Sequence, residues 1–325
     1  MVTSDRAEIR ALLYKGEVEE IGHARHQAAP ARVSPVKLAL AFAAIYLIWG
    51  STYLGIRYAI ETIPPLLMMG MRNATAGTLL YLWARSRGTP APTRQHWKYA
   101  AVAGALLFLC DHGLLAWGEQ HVASGLAALC SATLPLWMVM MARFQGSERQ
   151  LRPTTIAGLL LGFAGVALLV GTAALGGGGS EILGVAAVMV GIVIWALGTL
   201  YVRGVKMPES AVLSSGMQMM VGGYSLLLAG TLAGEAGRFH LGGVTMKSAL
   251  SLAYLISFGS IIAFTAYMWL LRVSTPARIS TYAYVNPVVA VLLGWGLAGE
   301  PVGWRTLAAM VVILAGVALV RRGTA

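Results

Sequence analysis

One carboxylate sits where hydropathy forbids it. Asp111 lies in the run LLFLCDHGLLAW with His112 beside it, and no other Asp or Glu falls so far inside an apolar stretch. An Asp at the centre of a membrane helix costs about 2.5 to 3.5 kcal/mol on insertion scales, so it needs a partner, a cavity or a proton. Two readings are open. Asp111 is either a protonation site coupling solute movement to proton movement, or a packing residue paired with a hydroxyl or an arginine. His112 could share the first role, although neighbours in a helix point about 100° apart. Around this pair the sequence holds candidate binding side chains: the aromatic residues Trp49, Tyr53, Trp117, Trp195, Tyr267, Tyr282 and Tyr284, with Gln218 in a methionine-rich run and Asn286 before Pro287. Aromatic faces stack planar or cationic solutes; the bland alternative is an interfacial belt or helix packing. Asn286 could donate to a solute or only satisfy the carbonyl freed by the proline. Arg57, Arg72 and Asn73 lie near span ends and are read as snorkelling to the headgroups, in preference to a gating or anion-binding role.

The elements that must position these residues are membrane helices. Of 325 residues, 57% are hydrophobic and 11% charged, with mean hydropathy +0.70, far from soluble usage. The net charge of +11 belongs to loops that set orientation, and nucleic acid is excluded as a partner. Cys110 and Cys130 read as small buried hydrophobes, and no metal-ligand spacing or disulfide framework occurs. Residues 1–37 form a charged tail without an insertable run. Ten apolar stretches come after it, near 38–60, 66–84, 98–118, 124–142, 154–173, 182–201, 211–233, 249–271, 280–298 and 304–320. Each approaches the roughly 20 residues of a span. With the amino terminus cytoplasmic, nineteen of the 24 Lys and Arg fall inside; Arg72, Arg238, Lys247 and Arg305 fall outside and Arg57 within the first span. Both termini are therefore expected in the cytoplasm.

Internal repetition sets the architecture. Ile48-Trp49 recurs as Ile194-Trp195 at an offset of 146, Trp117, Pro135 and Glu148 recur as Trp269, Pro287 and Glu300 at 152, and AGVAL at 164–168 recurs at 315–319 at an offset of 151. The expected fold is an all-α polytopic membrane protein of ten transmembrane helices in two five-helix repeats, residues 38–175 and 182–322, joined by a glycine linker at 176–181. Because five is odd, the repeats must be inverted, which places a solute site at their interface and supports alternating access. Glu148 and Glu300, at span ends, are expected to contact helix ends.

The runs IWGSTYLGIRYAI (48–60), ASGLAAL (123–129), FGSIIAFTAYM (258–268) and VSTPARISTYAYVNPVVAVLLG (273–294), with AGE at 298–300, make the chain resemble the EamA branch of the drug/metabolite transporter superfamily, in particular its YedA-type inner-membrane members. The resemblance implies ten helices and export of small metabolites or drug-like solutes, amino-acid or related, without ATP. The expected protein is a multi-pass inner-membrane transporter, not an enzyme, needing no cofactor and no metal. Its partners are a small-molecule substrate and the lipid bilayer, and it is a monomer or homodimer. No Walker loop, HExxH or GxSxG motif is present; an intramembrane enzyme and a passive channel are the competing readings.

Overall fold

The computed structural model describes residues 34–144, 152–176, 179–274, 279 and 281–324. The described residues from Ala41 onward belong to one compact unit. Among the described residues all regular structure is helical: α1 Pro35–Ala59, α2 Pro65–Ser86, α3 Arg94–Gly118, α4 Ser124–Ser131, α5 Leu134–Phe144, α6 Pro153–Gly176, α7 Gly179–Gly204, α8 Ala211–Leu232, a short α9 Glu235–Arg238, α10 Met246–Val273, α11 Tyr282–Ala298 and α12 Trp304–Thr324. Among the described residues six helices are long and apolar enough to cross a membrane: α1, α3, Ser124–Met141, α7, α8 and α10. Shorter apolar helices lie at Pro153–Gly165, Val285–Ala298 and Trp304–Val320. Helix α2 is 22 residues long and carries Arg72 and Asn73 in its buried interior.

Local chemistry sets the ends. Pro65 opens α2, where its missing N–H has no intrahelical partner to lose; Thr93, Ser210 and Thr245 cap α3, α8 and α10 through their side-chain oxygens. Pro135 restarts the fourth apolar stretch as α5 after a turn at Ala132–Thr133, whereas its repeat counterpart Pro287 lies inside the continuous α11. Gly299 ends α11 with φ of 65°, a left-handed conformation only glycine adopts cheaply. That turn sends Glu300 back to α4, where its carboxylate accepts from the N–H groups of Ser124 at 2.9 Å and Gly125 at 3.2 Å. The expected helix-end contact of Glu300 is therefore present, and Glu148 lies outside the described residues. Glu235 serves α2 likewise, accepting from Leu67 N–H at 2.9 Å.

Two antiparallel helix pairs dominate the packing: α2 with α8 and α6 with α12. Along the first, Gly70 meets Leu227, Gly77 meets Met219 and Met220, and Gly223 meets Asn73 and Ala74; along the second, Gly158 meets Val320, Gly162 meets Gly316 and Gly165 meets Ile313. Glycine lets backbones approach where lipid supplies no hydrophobic drive between helices. Helices α1, α3 and α10 each contain a π-helical segment, at Ala44–Ile48, Ala105–His112 and Leu255–Phe264. The last two lie 150 and 152 residues apart at their starts and ends, and such wide turns free carbonyls and re-aim side chains.

Candidate functional site: a polar and aromatic cavity

The π-helical segments of α3 and α10 line a cavity, together with side chains from α1, α2, α7 and α11. The first wall is aromatic. Trp49 from α1 meets Trp195 from α7 edge-on at 6.2 Å, and Tyr282 from α11 at 5.3 Å. Its indole N–H donates to the Gly259 carbonyl at 3.2 Å, in the π-helical part of α10. Trp195 stacks on His112 at 5.9 Å and 7°. The imidazole is in turn held by Asn73, whose Nδ2 lies 3.0 Å from His112 Nδ1.

The polar wall carries a carboxyl and a guanidinium. Asp111 is 8% exposed and packs its carboxylate on Gly191 of α7. Arg72 is 4% exposed; its Nε donates to Ser260 Oγ at 2.9 Å, and Gly259 leaves room for the guanidinium, since a Cβ there would lie 3.1 Å from Nη2. Among the described residues the ion pair within 4.0 Å is Lys247 with Glu61, at the bundle's end, so neither cavity charge is neutralised by a direct partner. A buried charge of this kind costs several kcal/mol unless it is paired.

Seven expected binding residues line this cavity: Trp49, Tyr53, Asp111, His112, Trp195, Tyr282 and Asn286. Asn286 lines it with its amide engaged elsewhere: with the nitrogen turned inward it reaches the carbonyls of Tyr282, Tyr46 and Ile45 at 3.0 to 3.2 Å, satisfying groups beside the α1 π-helix. Three others lie off this wall. Trp117 is 38% exposed and packs on His121 at 4.7 Å, because the six residues from Asp111 to Trp117 carry it about 240° round the helix to another face of α3. Gln218 is fully buried, donating to Ser214 O and Oγ at 3.0 and 3.1 Å; its neighbour Met219 faces the cavity instead. Tyr267 stands behind the wall, 5.0 Å from Trp49 and 6.2 Å from Tyr282. The side chain of Tyr284 lies outside the described residues. The snorkelling read for Arg72 is also overturned, since its guanidinium points into the protein and not to a headgroup layer; the Arg-Asn pair inside PLLMMGMRNATAG was the available signal. Cys130 is buried and Cys110 half-buried, both free, and no cluster of three metal-ligating side chains forms among the described residues.

A bundle of apolar helices around a cavity with buried charges and aromatic faces defines a solute-binding membrane protein. The chain belongs to the EamA-like transporter family, whose model matches residues 36–171 and again residues 182–322; it is a transporter-family protein and not an enzyme. It is 38% identical over 282 residues to the uncharacterized inner membrane transporter YedA of Escherichia coli K12, covering 86% of this chain and 89% of that protein. It is 25% identical to the uncharacterized transporter YvbV of Bacillus subtilis, covering 87% and 91%. A solved crystal structure shares the fold with TM-score 0.63 at 21% identity, over 88% of this chain and 96% of that one.

Proposed function

We propose that the protein is a secondary active exporter of small organic solutes of the amino-acid class, working by alternating access in the inner membrane with both termini cytoplasmic. The observation that carries this reading is the pairing, in one cavity, of an uncompensated guanidinium, Arg72, with an uncompensated carboxyl, Asp111, beside stacking faces. A solute bearing a carboxylate would pair with Arg72, and the wall of Trp49, Trp195 and Tyr282 would take a flat or apolar side chain. Ten spans in two inverted repeats, residues 38–175 and 182–322 about the 176–181 linker, account for the packing. Helices α2 and α8, like α6 and α12, are repeat equivalents, and equivalents that pack antiparallel on each other lie beside a two-fold axis in the membrane plane. Trp49 and Trp195 are such a pair, meeting across the site.

The test is thermal unfolding of purified protein against amino acids, nucleosides and cationic drugs. A ligand of the folded state at a hundred times its Kd adds about 2.7 kcal/mol of stability, so a carboxylate-bearing amino acid is expected to raise the melting temperature. Stabilisation by cations alone, or by nothing in the panel, would count against the assignment. Coupling is placed at Asp111. In proteoliposomes the Asp111→Asn variant is expected to lose stimulation of export by an opposing proton gradient; unchanged gradient dependence would remove Asp111 from the coupling.

A further inference from the structure

The turn after α3 holds an acid that the cavity does not use. Glu119 is fully buried, and neither of its carboxyl oxygens has a hydrogen-bond partner, although the residue lies one position past the span Arg94–Gly118. Its main chain is engaged: the N–H donates to Leu115 O at 2.9 Å, and the carbonyl accepts from Arg57 Nη1 at 2.8 Å. The nearest guanidinium therefore bonds the backbone of Glu119 and leaves the carboxyl bare.

Contacts between the two halves of the chain gather beside this residue, around the same pocket that Arg57 lines. The Glu300 carboxylate bonds the amino end of α4, the Tyr58 hydroxyl donates to Leu297 O at 2.8 Å, Ser248 Oγ donates to Tyr58 O at 2.8 Å, and Lys247 Nζ donates to Glu61 at 2.7 Å. The residues of these contacts, Tyr58, Glu61, Lys247, Leu297 and Glu300, line a vestibule together with Arg57, Gln120 and His121. The charged and titratable groups acting on Glu119 come from several elements. Helix α1 contributes Arg57 and Tyr53, α2 contributes Arg72, and the turn after α11 contributes Glu300. His121 shares its own turn; α4 brings the uncharged Ser124 and Gly125, and α7 packs Gly184 and Val188 on the adjacent Gly118, with Glu181 in its first turn. Burial, reinforced by Glu300 and opposed by Arg57 and Arg72, pushes the Glu119 carboxyl well above the usual carboxylate range.

We propose that Glu119 is a proton-binding site of this clasp: the clasp closes around the neutral acid, and release of that proton into the vestibule opens it. The role of the clasp as the outer gate rests on the alternating-access reading above; the proton site rests on the burial of an unbonded carboxyl. It is separate from Asp111, eight residues earlier on α3 and in the cavity wall. Linkage gives the sign. A carboxyl that binds its proton more tightly when closed favours the closed state at low pH, and that preference is lost as pH rises through the closed-form pKa.

Hydrogen exchange of the protein in lipid nanodiscs, corrected for intrinsic exchange at each pH, reads the clasp through the amides at the start of α4. In wild type their protection is expected to fall roughly tenfold per pH unit once Glu119 loses its proton. Glu119→Gln, a permanently neutral side chain, is expected to keep full protection at alkaline pH; wild-type pH dependence in that variant would overturn the proposal. Should Glu119→Gln not fold, difference infrared spectra in the Asp111→Asn background decide. A protonated-carboxyl band that disappears in step with protection supports the site, because exposed carboxylates lose their protons far lower, and no such band overturns it. Absence of saturable solute flux with the Glu119-dependent opening intact would overturn the transport reading and leave the proton site standing.

Discussion

Replacing Arg72 by methionine is expected to abolish ligand-induced stabilisation by carboxylate-bearing solutes while leaving the ligand-free protein as stable as wild type or more so. The two halves of this expectation have one cause. The guanidinium is nearly buried and has no carboxylate within 4.0 Å among the described residues, so the free protein carries the desolvation cost of a charge that only Ser260 and the Met69 sulfur partner. Replacing a buried ion with an apolar side chain of similar volume is often neutral or stabilising. With solute bound, the same change removes one partner of a desolvated ion pair, which costs about 2 to 5 kcal/mol, a loss of affinity of roughly 30-fold at the low end. Arg72→Lys should fall between, since an ammonium keeps the charge but not the planar fork that meets a carboxylate with two bonds. Isothermal titration of the variants with the stabilising solute reads this out. Retention of wild-type affinity in Arg72→Met would show that the cavity binds its solute without the guanidinium.

That Arg72 went unrecognised in the sequence while Trp49, Asp111 and Trp195 did not has a physical explanation. A lone acid in an apolar run is costly in any orientation, so Asp111 announces itself. Trp49 and Trp195 are marked by recurrence at one offset, and their rings meet at 6.2 Å. Arg72 has neither mark. It lies in the first third of α2, where a long cation near a span end ordinarily reaches water, and α2 is buried on several sides by α8, α3 and α10, so no polar face separates inward from outward positions. Trp117 stands apart for the opposite reason: it shares the apolar stretch and a repeat match with the cavity-lining residues, but six residues of helix set it on another face of α3 than Asp111. Glu119 sits after the last apolar residue of α3 and reads as a loop acid. Its burial comes from Arg57 and from the chain returning at Glu300, contacts 62 and more residues away.

Gly223→Ala is expected to destabilise the protein by about 1 to 3 kcal/mol or more, whereas Gly296→Ala, the same added methyl group in another apolar helix, is expected to stabilise it by about 0.5 to 1 kcal/mol. A Cβ at Gly223 would drive into the backbone of Ala74 and Asn73 on α2, and backbone cannot rotate aside as a side-chain tip can; a Cβ at Gly296 meets nothing within 4 Å. The neighbouring Gly222 faces Phe108 and the Gly104 carbonyl on α3, so two consecutive glycines let α8 touch two helices at once. Separating α8 from α2 would also displace Asn73, which holds His112, and Arg72 beside it. Gly223→Ala is therefore expected to lose solute affinity together with melting temperature, and Gly296→Ala to change stability alone. Thermal unfolding and ligand titration of the two variants side by side distinguish a seam that positions the cavity from one that only fills space. A destabilised Gly223→Ala with undiminished affinity would assign the seam to packing and detach it from the site.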